Sequence, residues 1–369
     1  MKEETALRLL AGVMTWEDDD KARKEFEFWQ LMSALKYDDY RDFLAGMRFL
    51  ESLVAWLQQF EPTDREAAYS FARNRLVFIS AAERERLVAL LYPREIFHRL
   101  IKAAAKDTGV ESWHVLADEK ASNALVRQRR STLFLGLSDG ARLDSFRHVN
   151  ENIISNEQVV VGVQLATDKW KDLLKELQRD VQDETARFNR IVLVDDFTAS
   201  GTSFVRQEEG KWKGKLNRFF ESLKDFKEDT LLSPSYELIV HHHIGTPKAK
   251  VHLEENVKAF VAEHASNGSE VGHHDVTFGH CYDESIVVSD HDAPEFLAIT
   301  EKYFDKSLVT EHTKKGGSEQ LWLGYAECRL PVILDHNTPN NSFAILWAQT
   351  QGKQGRAMRP LFRRRQRHS

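Results

Sequence analysis

Apolar residues in the first third of the chain recur every three to four positions. Phe26, Trp29, Leu31, Phe43, Met47, Leu50, Leu53, Val54 and Leu57 follow this spacing, which puts them on the inner faces of successive helices. The pattern runs to about Val110, so residues 1–110 are expected to form a helical N-terminal region. Breaks fall at Tyr37–Asp39 and at Glu61-Pro62-Thr63-Asp64, where proline and capping side chains end one helix and begin another. Ser80-Ala-Ala-Glu83 has the spacing of a capping box, opening a helix through Leu87 to Leu91 that Pro93 interrupts or ends. The aromatic stripe reads as core or interface packing rather than a ligand cage, since helical spacing alone explains it.

Further on, helical spacing alternates with short apolar runs. Leu133 to Leu137, Ile191 to Val194 and Tyr236 to Val240 have the length and branching of buried strands, and Val276–His280 and Ile286–Val288 read as later strand material. Val159 to Val163 fits either a strand or a helix segment. Lys169 to Val181 is helical. Another helix is expected from Phe204 towards Phe226, with Arg206, Glu208, Glu209, Lys211 and Lys213 on its charged face. Strands alternating with helices predict an α/β fold with a mostly parallel sheet.

The run Ile191–Val194 hands two adjacent carboxylates, Asp195 and Asp196, to a strand's C-terminal end, where open α/β sheets bind ligands. Thr198, Ala199, Ser200, Gly201, Thr202 and Ser203 follow, small and mostly hydroxylic, so that backbone N–H groups can approach an anion. An Asp-x-Asp-x-Thr phosphatase is a weaker reading because Val194 stands where its nucleophile belongs. A P-loop is excluded because no Lys follows Gly201. The plainer alternative is an acidic turn in which Asp196 only caps a helix.

The 369 residues are 42% hydrophobic and 29% charged, with a net charge of −6, so a case for nucleic-acid binding must be local rather than global. Two cysteines, Cys281 and Cys328, argue against a disulfide scaffold. No 18-residue apolar run occurs and the first residues lack a signal-peptide core, so a cytoplasmic protein without a membrane span is expected. The local exception is a basic tail, 353–369, with Arg356, Arg359, Arg363, Arg364, Arg365, Arg367 and His368. It either binds nucleic-acid phosphate or pairs with acidic faces such as Glu17 to Asp20, within the fold or across a homo-oligomer.

Three further groups carry candidate chemistry. Ser138-Asp139-Gly140-Ala141-Arg142 is a tight turn after a strand, with Arg142 or Arg147 as a phosphate partner or as ordinary surface charge. His241 and His243 alternate as two metal ligands would, but no zinc spacing selects a third, which favours turn or surface chemistry. His336-Asn-Thr-Pro-Asn-Asn341 reads as a rigid loop whose amides either satisfy turn backbone, the commoner use, or read a polar ligand.

The stretch Ile191–Ser203 resembles the phosphoribosyl-pyrophosphate (PRPP) signature of type I phosphoribosyltransferases: four apolar residues, two acids, then a Thr/Ser/Gly loop. The resemblance implies a phosphoribosyltransferase-like sheet with a helical N-terminal extension, ribose-holding roles for Asp195 and Asp196, and a 5′-phosphate loop over Thr198–Ser203. It implies that Ser138, Asp139 and Gly140 grip pyrophosphate with charge from Arg142, and that Mg²⁺ arrives on the ligand's oxygens. Ala199 and Asp139 depart from the family's usual residues there. The strand pair and mobile catalytic loop that precede the PRPP strand in active members find no clear place between residues 155 and 190.

Residues 75–369 more widely resemble the phosphoribosyltransferase-like proteins of bacterial conflict systems, some encoded beside retron reverse transcriptases. On Gly136–Gly140, Val194–Phe197 with Ser200–Thr202, Gly324-Tyr325, Leu330-Pro331, His336–Asn341 and Pro360–Arg363, this implies an antiphage effector or accessory component partnering a reverse transcriptase or its RNA–DNA product. Three parts are then expected: 1–110 helical, 111–352 phosphoribosyltransferase-like, and 353–369 the basic tail. The function implied is either a transferase acting on PRPP or a related phosphorylated ribose, or a non-catalytic nucleotide-sensing or ribonucleoprotein-binding module that keeps the phosphate loop.

Overall fold

The computed structural model describes residues 3–162, 167–224, 231–265, 270–314 and 316–364, which pack as two compact units. One is built from both parts of the chain that flank the other, residues 1–84 and 284–369, and the second from residues 85–283. These packing boundaries differ from the three-part division drawn from composition, because the C-terminal segment shares a core with the N-terminal helices.

In the first unit, α1 (Glu3–Met14), α2 (Asp19–Leu35), α3 (Phe49–Leu57) and α4 (Arg65–Asn74) follow the helical periodicity, with 3₁₀ turns at Tyr37–Asp39 and Pro62–Asp64 where breaks are expected. A strand, β1 (Val77–Ile79), interrupts the expected helical run. Its three residues are β-branched or aromatic and lie between the end of α4 and the Ser80 cap, too short a stretch for helical periodicity to register. The capping box forms: the Ser80 N–H donates to Glu83 Oε2 (2.8 Å) and the Glu83 N–H to Ser80 Oγ (3.2 Å), opening α5 (Ala81–Leu90). Pro93 does not end this helix. A π turn, Leu91–Ile96, absorbs the missing N–H and leads straight into α6 (Phe97–Thr108), which Gly109 closes at φ +73°.

The second unit is organised by a five-stranded parallel sheet. After α7 (Glu119–Arg130) come β2 (Thr132–Gly136), α8 (Leu143–Val149), β3 (Val159–Val161), α9 (Thr167–Val181) and β4 (Phe188–Thr198). The helix expected at Phe204 is instead a hairpin, β5 (Arg206–Glu208) with β6 (Lys211–Lys213), and α10 (Lys215–Lys224) starts only afterwards. Glu209 and Gly210 both take positive φ (51° and 72°), the two-residue turn that matches strand twist. The alternating charges of that segment flank a hairpin rather than cover a helix face. Then follow β7 (Leu232–Gly245), α11 (Pro247–Ala265) and β8 (Glu270–Cys281).

The sheet order is β3-β2-β4-β7-β8, every pair parallel. Strand alternation divides its side chains between two cores. Leu133, Leu135, Ile191, Leu193, Leu238 and Val240 pack with α9, α10 and α11, whereas Phe134, Val192, Val194 and Ile239 pack with α6, α7 and α8. Helices therefore cover both faces, as parallel sheets require.

The chain returns to the first unit with α12 (Pro294–Lys302) and β9 (Val332–Leu334), which pairs in parallel with β1. Ile286–Val288 is not a strand: Glu284–Ile286 is a 3₁₀ turn, and the Val288 N–H donates to the Arg329 carbonyl. Arg84 forms a bidentate pair with the buried Asp335, both contacts 2.9 Å. The Asn loop works as a rigid connector: the Asn341 amide donates to the Tyr325 carbonyl (3.1 Å) and the Tyr325 N–H donates to the Asn340 carbonyl (2.7 Å).

Much of the basic tail belongs to this unit's core. Met358, Leu361 and Phe362 are buried, Arg356 pairs with Glu61 (2.7 Å), and Arg364 donates to the Thr338 carbonyl (3.0 Å). Arg365, Arg367 and His368 lie outside the described residues. Among the described residues no helix is long and apolar enough to cross a membrane.

Candidate active site

Chain order explains where a ligand site belongs in the second unit. The connection from β2 runs outward to β3 and then back past β2 to β4, so the crossover direction reverses between β2 and β4. Loops leaving neighbouring strands at such a point normally diverge and open a crevice at the strands' C-terminal ends. Here the two loops are Ser138–Arg142, after β2, and Asp195–Val205, at and beyond the end of β4. The Leu137 N–H donates to the Val194 carbonyl (2.9 Å), holding them side by side.

Most of the residues expected to form a site are brought together. The Ser138 hydroxyl donates to Asp195 Oδ1 at 2.5 Å. Gly140 lies so close to Asp196 that a Cβ there would collide with the Asp196 carboxylate, which explains the glycine. Asp139 begins the 3₁₀ turn Asp139–Ala141, and its carbonyl accepts the Arg142 N–H (3.3 Å). Asp195 is buried and Asp196 half-buried.

The loop after β4 has the features of an anion cradle. The N–H groups of Phe204 and Val205 both donate to the Gly201 carbonyl (3.0 and 3.3 Å), closing the turn. Among the described residues, the N–H groups of Ser200, Gly201, Thr202 and Ser203 donate to no acceptor. Four successive donors without acceptors are what a phosphate would engage. Thr198 Oγ1 is buried without a partner, and the Ser200 and Thr202 hydroxyls bond each other (2.9 Å). Gly201 holds φ +76°, and a Cβ there would come within 2.6 Å of the His252 ring. That ring donates its Nε2 proton to the Val205 carbonyl (2.8 Å), which fixes its tautomer. Ala199 serves through its carbonyl, which accepts the Thr246 hydroxyl (2.7 Å).

The cation on the acids is Lys215, not Arg142. The Lys215 ammonium donates to Asp195 Oδ2, while Arg142 is engaged by Glu85 (2.7 Å), Ser145 (2.9 Å) and Asp144 (3.4 Å). Burial pushes the Asp195 carboxyl up, and the Lys215 charge opposes that shift. Lys215 escapes a sequence reading that runs one helix from Phe204, because its place at the first turn of α10 depends on the hairpin before it.

The three histidines lie within β7, not in a turn, and all are buried. His241 Nδ1 bonds Thr277 Oγ1 (2.9 Å) and His243 donates Nε2–H to the Ala141 carbonyl (3.0 Å), tying β7 to the Ser138–Arg142 loop. His242 pairs in register with Asp195 and packs against Phe204 and Phe278. Neither of its ring nitrogens has a hydrogen-bond partner among the described residues. Burial, then the nearby Lys215 charge, pushes its pKa down to about 3. No group of three or more His, Cys, Asp or Glu among the described residues is placed to hold a metal ion.

A parallel sheet with a direction switch, an acid pair near the C-terminal end of its central strand, and a glycine-containing turn beyond it fit a protein of the phosphoribosyltransferase type. The family model PRTase-CE matches residues 53–364, and the chain belongs to that family. No curated protein and no solved structure matches it significantly.

Proposed function

We propose that the crevice between β2 and β4 binds PRPP or a related phosphorylated ribose. The observation that carries this reading is the row of four N–H groups, Ser200 to Ser203, without acceptors, beside the buried and unpartnered Thr198 hydroxyl. The 5′-phosphate would occupy that cradle. The ribose hydroxyls would reach Asp196 and, by displacing Ser138 or Lys215, Asp195. A Mg²⁺ here would bring most of its oxygen ligands with the pyrophosphate.

In turnover, a nucleophile would attack ribose C1 as the C1–O bond to pyrophosphate breaks. The carboxylates would then face growing positive charge on the ring, and Lys215 the leaving group's negative charge. One observation favours binding without turnover. Among the described residues α9 alone fills the interval between β3 and β4, and the hairpin β5–β6 follows the phosphate loop instead of preceding β4. A ligand-sensing component of a bacterial antiphage system, partnered with a retron reverse transcriptase or its RNA–DNA product, fits that second reading.

Titration calorimetry of PRPP with Mg²⁺ tests the site. The wild type is expected to bind saturably, Asp195→Asn/Asp196→Asn to lose binding at least about tenfold, and Thr198→Val to bind more weakly while remaining as stable. A folded wild type that takes up no PRPP removes the reading.

A further inference from the structure

At the opposite end of the same sheet lies a cavity of about 1260 Å³. Arg130, Gln158 and Val181, which line it, all precede the strands β2, β3 and β4 in the chain. The cavity is therefore set at the N-terminal edge of the sheet, away from the β2/β4 crevice. Its walls come from the end of α7, from α8 and the segment after it, and from the end of α9.

The charge distribution there is uneven. Arg127, Arg129, Arg130, Arg147 and His148 face three acids, Asp144, Glu151 and Asp180. Asp144 is paired with Arg142, and Asp180 with Arg130 and Arg179. Arg127 pairs with Asp183, and Arg129 with Tyr92. Two guanidinium groups stand out. Arg147 is exposed and has no ion-pair or hydrogen-bond partner among the described residues. Arg130 is more revealing, because its side chain is only 9% exposed and Nε alone is satisfied, by Asp180 at 2.8 Å. Its Nη1 and Nη2 are buried with no partner.

A buried guanidinium with both terminal nitrogens unmet carries a desolvation cost that a bidentate oxyanion would offset, and phosphate has the matching geometry. Beside these cations the cavity has an apolar wall. Val126 and Ile153 stand 50% and 40% exposed, with Ile154 behind them, and Asn152 and Asn156 add amide donors and acceptors. Arginine next to exposed aliphatic surface and amides suits a ligand that is anionic at one end and flat and heterocyclic at the other.

We propose that this cavity is a second binding site, for a nucleotide whose phosphates pair with Arg130 and Arg147 and whose base lies on Val126 and Ile153. Its position lets such a ligand act on β2 and β4 from the end opposite the crevice, and the site stands whether or not the crevice binds PRPP.

The test is fluorescence anisotropy of a ribose-labelled (methylanthraniloyl) ATP probe with the full chain. The wild type is expected to bind saturably. Arg147→Glu, a surface change that leaves the core intact, should weaken binding about tenfold or more, the scale of one charge-assisted phosphate contact. Arg218→Glu, the same charge change on the exposed face of α10, and Asp195→Asn/Asp196→Asn at the crevice should each shift affinity less than about twofold. The proposal is overturned if the folded wild type binds no probe. It is equally overturned if Arg147→Glu binds like the wild type, or if binding disappears only in the crevice variant.

Discussion

Lys215, the first residue of α10, sets its ammonium on the carboxylate of Asp195 in β4, while Ser138 from the neighbouring loop takes the other oxygen. The Asp195 side chain is 4% exposed and the Lys215 side chain 20%. Asp195 is thus held in the core by Lys215, the Ser138 hydroxyl and the Asp196 N–H (3.2 Å), and a ribose hydroxyl in the proposed site would displace Ser138 or Lys215. Burial pushes the carboxyl's pKa up and the Lys215 charge opposes that shift, and ligand binding at the proposed site would be an exchange of partners.

Removing one partner should be costly. Lys215→Met leaves Asp195 buried with only the Ser138 hydroxyl and the Asp196 N–H as donors, and breaking a buried pair in this way costs about 3 kcal/mol. Adding Asp195→Asn removes the stranded charge and is expected to restore most of that loss. Urea unfolding of the two variants measures both effects. A Lys215→Met protein as stable as the wild type would show that the ammonium does not hold the acid.

The strand Ile191–Val194, its acid pair and the glycine turn were legible because short-range chemistry determines them: β-branching sets the strand and a small-residue run sets the turn. Lys215 was not, because its position depends on Glu209-Gly210 turning the chain back, and a two-residue turn inside a charged segment leaves no periodic mark. The histidines escape a local reading for a related reason. His241–His243 look polar enough for a turn, yet β7 continues through them to Gly245, and register with β4 and β8 overrides residue preference. β1 depends on a partner, β9, more than 250 residues away, a pairing that no local window contains.

The buried histidines should make the second unit acid-labile. His242 is pushed down to about 3, and burial together with its histidine neighbours holds His241 well below its ordinary value. Both are neutral when folded, whereas unfolded histidine titrates near 6.5. The unfolded chain therefore binds more protons in between, so stability is complete above about pH 6.5 and falls as pH drops towards 3. Each histidine contributes a slope of about 1.4 kcal/mol per pH unit inside that window. In His242→Leu, urea midpoints measured from pH 7 to pH 5 should fall less steeply by one histidine's share. An unchanged slope would mean that His242 does not carry a depressed pKa.

The basic tail poses a different problem, because its charge and its packing are interleaved. Phe362 is fully buried, with ring centroids 5.4 Å from Phe49 and 5.8 Å from Tyr37, and Tyr40 donates to the Arg363 carbonyl (2.6 Å). Deleting residues 353–369 would remove Met358, Leu361 and Phe362 from the first unit's core, so lost nucleic-acid binding after that deletion would report unfolding. Phe362→Ala alone should cost about 3–5 kcal/mol. Arg359 and Arg363 are exposed, and Arg359→Ala/Arg363→Ala should change stability by less than about 0.5 kcal/mol. That double variant is the sound probe of the tail's partner. If an RNA–DNA hybrid binds through it, affinity falls and the salt dependence flattens as phosphate contacts are lost. If thermal stability and hybrid affinity both match the wild type, Arg359 and Arg363 are neither structural nor a nucleic-acid contact, and partner binding through these two residues is removed.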